Sequence, residues 1–128
     1  MIQKEITICG KQVTLAYCFD TEIEYQQIEI EGKQTSEECV DFIKDVVGII
    51  ANNGLPDRVK TFRLILAAAN AWYGRGKSPI TYDLLKRETT AAEFGEVIGT
   101  LFTMYIDFYK IPIEEKEKTD EGEAPKNA

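Results

Sequence analysis

The residues of this chain that could perform chemistry are few, and their spacing does not match a catalytic site. The 128 residues include no histidine and three cysteines, Cys9, Cys18 and Cys39, which form no CxxC pair. Histidine is the usual general base near neutral pH, so the common acid–base and nucleophile–base arrangements are missing. Paired acids such as Glu37-Glu38 stand at predicted helix starts, where solvent surrounds them. We therefore predict that the protein is not an enzyme.

Neither a metal site nor a phosphate loop is supported by the motifs. The cysteines lack ligand spacing, and no DxDxDG loop occurs. Gly74-Arg75-Gly76-Lys77-Ser78 resembles the end of a phosphate loop, but that motif requires glycine where Ala71 stands. It also requires a strand before the loop and a helix directly after it, whereas here an apolar helix precedes and Pro79 follows. The segment is better explained as a helix end and connection, and we expect no cofactor and no metal.

Composition and charge exclude several other classes. There are 22 acids against 15 bases, a net charge of -7, whereas nucleic acids and anionic membranes attract basic surfaces. Lys60 and Arg63, which are close in sequence, are predicted to lie on a solvated helix face. An odd number of cysteines is not a disulfide framework, so we expect reduced thiols in a cytoplasmic protein. The first residues lack a signal-peptide core, and the longest apolar stretches are interrupted by polar or charged residues, so no membrane segment is predicted.

The elements that must position any site begin with a β-hairpin. Apolar and polar residues alternate on both sides of Gly10-Lys11, the apolar ones being Ile2, Ile6 and Ile8 before it and Val13, Leu15, Tyr17 and Phe19 after it. This period of two predicts two strands joined by a type II′ turn, with Ile8 opposite Val13 and Ile6 opposite Leu15. A lone hairpin is marginal in water. It must pack on helices or pair its edge with another chain.

Five helices are predicted after the hairpin. Their capping residues and apolar periodicity place them over 22–28, from Thr35 or Ser36 to Asn52, from Asp57 to Gly74, over 82–87 directly after Thr81, and from Thr89 or Thr90 to Pro112. Val59 belongs to the apolar stripe of the third helix. We therefore predict an α+β fold in which residues 1–112 form one domain. The segment 113–128 has six acids, three lysines and one large apolar residue, and it is predicted to be a disordered acidic tail.

Two groups of residues are candidates for contact with other proteins. The last helix carries more apolar side chains than one buried face requires, and interfaces favour aromatic anchors. The candidate partner-binding residues are Trp72, Tyr73, Tyr105, Phe108 and Tyr109. The same aromatic residues would also suit a core. Ile2, Ile6 and Ile8 are candidates for self-association through the edge of the hairpin.

The layout resembles tail assembly chaperones of long-tailed bacteriophages and prophages. The resemblance covers about residues 1–112 and is carried by the hairpin segment ITICGKQVTLAYCFDTEIEYQQI, the alanine-rich helix TFRLILAAANAWY, the connector ITYDLLKRE and the final helix AAEFGEVIGTLFTMYIDFYK. It is a likeness of arrangement without an invariant motif, so no residue role is carried over from the family.

The resemblance implies a non-catalytic protein. Such a chaperone binds the tape measure protein, helps to recruit the tail tube protein, and leaves before the particle is complete. Many members of the family form homo-oligomers. Two other functions stay open at this point. One is a structural tail-completion or connector subunit of a phage tail, and the other is a small ligand-binding domain of unrelated cellular role.

Overall fold

A computed structural model describes residues 1–112. The fold consists of a two-stranded antiparallel hairpin followed by five helices. The elements are β1 (Ile2–Ile8), β2 (Lys11–Tyr17), α1 (Phe19–Gln27), α2 (Cys39–Ala51), α3 (Arg58–Tyr73), α4 (Tyr82–Glu88) and α5 (Ala91–Tyr109). The predicted α+β class, a hairpin with about five helices, is confirmed. The predicted acidic tail, 113–128, lies outside the described residues.

The hairpin keeps the predicted alternation but has a different register. Ile8 lies opposite Lys11, not opposite Val13, and the rest of the ladder is shifted in the same way. The predicted turn at Gly10-Lys11 was therefore wrong. A shift of the partner by two residues leaves every side chain on the same face of the sheet, so the apolar pattern is satisfied by both registers.

The turn residues are Cys9 and Gly10, which have φ angles of 55° and 71°. Positive φ at both central residues is the type I′ geometry, and cysteine is an unfavourable residue for its first position. Contacts with the start of α5 hold Cys9 there. Its backbone N–H donates to Glu93 Oε1 at 3.4 Å, and its Sγ lies 3.4 Å from Thr89 Oγ1. Tertiary contacts thus decide where the chain turns.

Helix starts follow the predicted caps in the second half of the chain. Asp57, Thr81 and Thr90 each accept a hydrogen bond from a backbone N–H of the first helical turn. The second helix begins later than predicted, at Cys39. The segment before it is tied to α1, because the Tyr25 hydroxyl donates to Glu37 Oε1 at 2.9 Å.

Helix α3 lies at the centre of the core. Every residue from Thr61 to Ala69 is buried, and buried side chains from all seven elements join one apolar cluster. Arg63 is buried as well, with 5% of its area exposed, although the sequence suggested a solvated helix face. Its guanidinium donates to the backbone carbonyls of Tyr25, Ile28 and Lys33. This cation therefore fixes the end of α1 and the turn that follows it.

Candidate functional site

Three of the predicted partner-binding residues lie together at the C-terminal end of α5. Tyr105, Phe108 and Tyr109 surround the ring of Tyr17, whose centroid lies 6.0, 5.4 and 6.5 Å from theirs. Phe19, at the start of α1, packs edge-on against Phe108 at 5.3 Å. We call these five residues the aromatic cluster. Tyr105 is buried, Phe108 is half-buried, and Tyr109 keeps 39% of its area exposed.

A carboxylate completes the aromatic cluster. Glu22 Oε2 accepts hydrogen bonds from the hydroxyls of Tyr17, at 2.8 Å, and Tyr109, at 2.5 Å. Burial raises the pKa of Tyr17, and the neighbouring Cys39 thiol and Glu22 carboxylate raise it further. Burial also raises the pKa of Cys39 to about 12. These groups satisfy one another in their neutral tyrosine and thiol forms, which is the arrangement of a structural polar network.

The other two predicted partner-binding residues lie at the end of α3, and no aromatic pair among the described residues joins them to the aromatic cluster. The Tyr73 hydroxyl accepts a hydrogen bond from the Thr14 backbone N–H at 3.1 Å, so this tyrosine caps part of β2. Trp72 points outward with 43% of its area exposed. The five aromatic candidates therefore divide into two separate places, and their role in binding a partner stays a prediction.

The isoleucines proposed for self-association face the interior of the protein. Ile8 is fully buried, and Ile2 and Ile6 are half-buried against the core. Strand β1 has no strand partner on its second edge within residues 1–112. A groove of about 780 Å³ lies between this strand and α5, and Glu5 and Glu96 are among its lining residues. The free edge, more than the isoleucine side chains, is what β1 offers to another chain.

A second groove, which the sequence did not predict, lies at the N-terminal ends of α3 and α5. It has a volume of about 500 Å³, and α4 forms one wall. The residues that define this cationic groove are Leu55, Arg58, Val59, Phe62, Tyr82 and Lys86. Leu55 and Val59 are exposed over 61% and 42% of their area, although the sequence pattern placed Val59 in the apolar stripe of α3.

The charge of this groove is opposite to that of the whole chain. Arg58 and Lys86 line it, and no acidic side chain among residues 1–112 does. Lys86 lies 5.2 Å from the centre of the Tyr82 ring. Its ammonium also forms exposed ion pairs with Asp83, at 3.7 Å, and with Glu31, at 4.0 Å, two acids outside the lining of the groove. Neither cation was predicted, because they come from two helices and meet only in the folded chain. Leu55, next to Pro56 in a connection, was the one local sign of an exposed apolar side chain.

Other kinds of site find little support among residues 1–112. No group of three or more histidine, cysteine or acidic side chains in this range could hold a metal ion. The three cysteines are free thiols. None of the helices that the structure describes is both long and apolar enough to cross a membrane.

In comparisons with known proteins, no protein-family model, no curated protein and no solved structure matches this chain. Its class must therefore be inferred from its own fold, exposed surfaces and charge.

Proposed function

We propose that this chain is a non-catalytic tail assembly chaperone of a long-tailed phage or prophage, acting in the cytoplasm of the bacterial host. Its principal partner would be the tape measure protein, a long and largely helical chain. Its second partner would be the tail tube protein. The order of elements supports this proposal, because a hairpin followed by five helices is the layout that the resemblance implies.

The observation that carries the proposal is the apolar surface left uncovered on an acidic protein. Nine large apolar side chains among residues 1–112 are at least 39% exposed, and the chain carries a net charge of -7. Leu55 and Val59 line one groove, and Phe19 and Ile23 line another. Contiguous apolar surface on a monomer commonly marks a site that binds other proteins. The negative charge would keep a chaperone dissolved while it covers the apolar stripes of a helical partner.

The test is co-expression with the tape measure candidate, the largest helical protein encoded nearby downstream. We expect an affinity-tagged copy of this chain to retain that protein, and the protein to be soluble only when this chain is present. Failure to retain a well-folded partner would overturn the proposal. Mass spectrometry of purified particles provides a second test, because a chaperone should be absent from them and a structural tail subunit should be present.

Self-association is the second part of the proposal. The free edge of β1 supports it, since an unpaired strand edge is a template for pairing with another chain. Ile6→Asp places a charge on the core-facing side of this strand. Circular dichroism first shows whether the variant is folded, and light scattering then measures its mass. We expect a smaller assembly than the wild type forms. A folded variant of unchanged mass would show that the hairpin does not carry assembly.

A further inference from the structure

We propose that the cationic groove is the docking site for an acidic amphipathic helix of the partner protein. The partner helix would place apolar side chains on the groove floor and acidic side chains against its rim. This inference rests on the proposed function for the identity of the partner. The chemistry of the segment that binds is argued from the groove alone.

The floor of the groove is apolar and is built from helices. Phe62 is buried beneath it and packs edge-on against Phe94, with 5.7 Å between the ring centres, and against Tyr82, with 6.2 Å. Leu55 and Val59 stand above this aromatic base with much of their surface in water. Covering such side chains contributes roughly 25 cal/mol per Å² of apolar area removed from solvent. The floor therefore favours a ligand with several apolar anchors.

The rim of the groove is positive. Arg58 and Lys86 provide two cations, and the groove is also lined by Thr90, which caps α5, and by Ala91, the first residue of that helix. The N-terminal end of a helix carries a partial positive charge. At α5 the carboxylate of Glu93 accepts a hydrogen bond from the Thr90 backbone N–H and offsets that charge, so the positive charge of the rim comes from the two side chains. The groove beside β1 contains Glu5, Glu93 and Glu96 with a single lysine, so the two grooves have opposite charge.

A helix fits this groove better than an extended segment does. Both strands lie outside the lining of the cationic groove, so a peptide here would find no strand edge for main-chain pairing. Apolar anchors spaced three and four residues apart along a helix can instead enter an open groove between helices. Acidic residues flanking those anchors would face Arg58 and Lys86.

The chain's own C-terminal segment is a poor alternative occupant. Residues 113–128 are acidic, which matches the rim, but Ile113 is their one large apolar residue. One such side chain, at the first position of the segment, cannot cover both Leu55 and Val59. An external helix that combines apolar anchors with acidic flanks matches both the floor and the rim.

The first experiment measures binding of a synthetic probe to the full chain by fluorescence anisotropy. The probe is an amphipathic peptide of about 18 residues, or five helical turns, with leucines on one face and glutamates beside them. A matched peptide carries lysine in place of every glutamate. We expect the glutamate peptide to bind at least about tenfold more tightly, with the difference shrinking at high salt. Equal binding of both peptides would overturn the proposal.

Variants then locate the binding site. Arg58→Glu with Lys86→Glu should weaken the glutamate peptide about tenfold or more and strengthen the lysine peptide, a reversal that mere misfolding cannot produce. Val59→Ser should weaken binding severalfold. Val47→Ser is its control, because Val47 is also helical and 45% exposed but lies outside the groove. Equal effects of the two serine variants would place the peptide elsewhere and overturn the proposal.

Two further outcomes separate this inference from others. If the wild-type chain alone forms a dimer that the double charge variant loses, the groove is a self-interface and the proposal is wrong. In the co-expression assay, retention of the tape measure candidate by the double variant at the wild-type level would reject the groove while leaving the chaperone function intact. Loss of retention by the wild type would reject the chaperone function, and the peptide measurement would still decide the groove.

Discussion

The apolar surfaces at the two ends of helix α5 differ in how much of them the chain itself covers. At the C-terminal end, the aromatic cluster packs on β2 and α1, and Glu22 accepts a hydrogen bond from two of its hydroxyls. At the N-terminal end, the cationic groove leaves Leu55 and Val59 largely exposed and places two cations beside them. At the first end the tyrosine hydroxyls are paired within the chain, although Phe19 and Tyr109 keep 64% and 39% of their area exposed. The second end is open and has charge to direct a partner.

The comparison shows that a concentration of aromatic residues is not by itself evidence of a binding surface. The aromatic residues of α5 attract attention in the sequence, but most of their polar and apolar contacts are already made within the chain. The groove contains fewer exposed rings and more uncovered aliphatic surface. A surface with uncovered apolar side chains is a better candidate for binding a partner than a surface whose groups already contact one another.

The largest expected effect tests whether the aromatic cluster contributes more to the free energy of unfolding than the cationic groove does. Tyr17 is fully buried in that cluster, whereas Tyr82 is half-buried at the groove. Tyr17→Ala should lower the free energy of unfolding by about 3–5 kcal/mol, because it leaves a cavity and removes one of the two hydroxyl hydrogen bonds that Glu22 accepts. Tyr82→Ala should lower it by less than half as much. Urea unfolding followed by circular dichroism measures both, and equal losses would remove the distinction between the two ends.

The second-largest expected effect is a loss of stability at alkaline pH, caused by the groups around the aromatic cluster. The pKa of Cys39 in the folded protein is about 12 and that of Tyr17 is also raised, whereas unfolded cysteine and tyrosine ionise near about 8.5 and 10. The folded state therefore holds these protons more tightly. Its stability is complete below about pH 8.5 and is lost as the pH rises toward 12.

Urea unfolding at a series of pH values tests this directly. Cys39→Ala should remove the part of the decline that begins near pH 8.5 and leave the part that begins near pH 10, where tyrosine ionises. A wild-type free energy of unfolding that stays constant from pH 8 to about 11 would contradict the assigned network.

A smaller effect should follow from changing the acceptor in the aromatic cluster. Glu22→Gln keeps the shape of the side chain but removes a charged acceptor of two hydroxyl hydrogen bonds, so we expect a loss of about 1 kcal/mol of unfolding free energy. Glu96→Gln is the matched control, because Glu96 is an exposed acid of α5 whose side chain lies outside the aromatic cluster. Thermal unfolding of the two variants should separate them, and a Glu22→Gln melting curve identical to that of the control would argue against the network.

The smallest expected effect belongs to the open end and has the opposite sign. Helix α3 has no acidic residue in its first turn, where Arg58 is unfavourably placed with respect to the helix dipole. Arg58→Glu should therefore raise the free energy of unfolding by about 0.3–1 kcal/mol while it weakens the glutamate peptide. Lys44→Glu, in the interior of α2, should change stability little. A clear loss of stability in Arg58→Glu would mean that this cation serves the fold.

Much of the architecture could be predicted from local patterns, and each prediction that failed has a specific physical cause. The alternation in both strands and the caps at Asp57, Thr81 and Thr90 depend on neighbouring residues alone, so they were predicted correctly. The register was not, because a two-residue shift preserves the alternation, and the contacts that differ between the registers, such as those of Cys9 with Thr89 and Glu93, are tertiary. The predicted solvation of Arg63 also failed, since its three carbonyl partners come from a distant segment.

The candidate sites also differ in whether local sequence or tertiary packing brings their residues together. Tyr105, Phe108 and Tyr109 could be grouped from the sequence because aromatic residues at helical spacing are visible there, and their role in binding a partner stays a prediction. The cationic groove was missed, because Val59 is part of an apolar stripe whose pattern does not show which residues a neighbouring helix will cover. Arg58 and Lys86 are separated in sequence and meet only when α3 and α4 pack together.

The sequence by itself determined the class of fold, the helix starts that carry capping residues, the acidic charge and the lack of histidine chemistry. These properties depend on residue type and on spacing of a few positions. Only the tertiary structure decided the hairpin register, the burial of Arg63, the closure of the aromatic cluster by Glu22 and the opening of the groove beside Arg58 and Lys86. Each of these requires segments distant in the chain to meet, and local periodicity cannot specify which of several compatible packings has the lowest free energy.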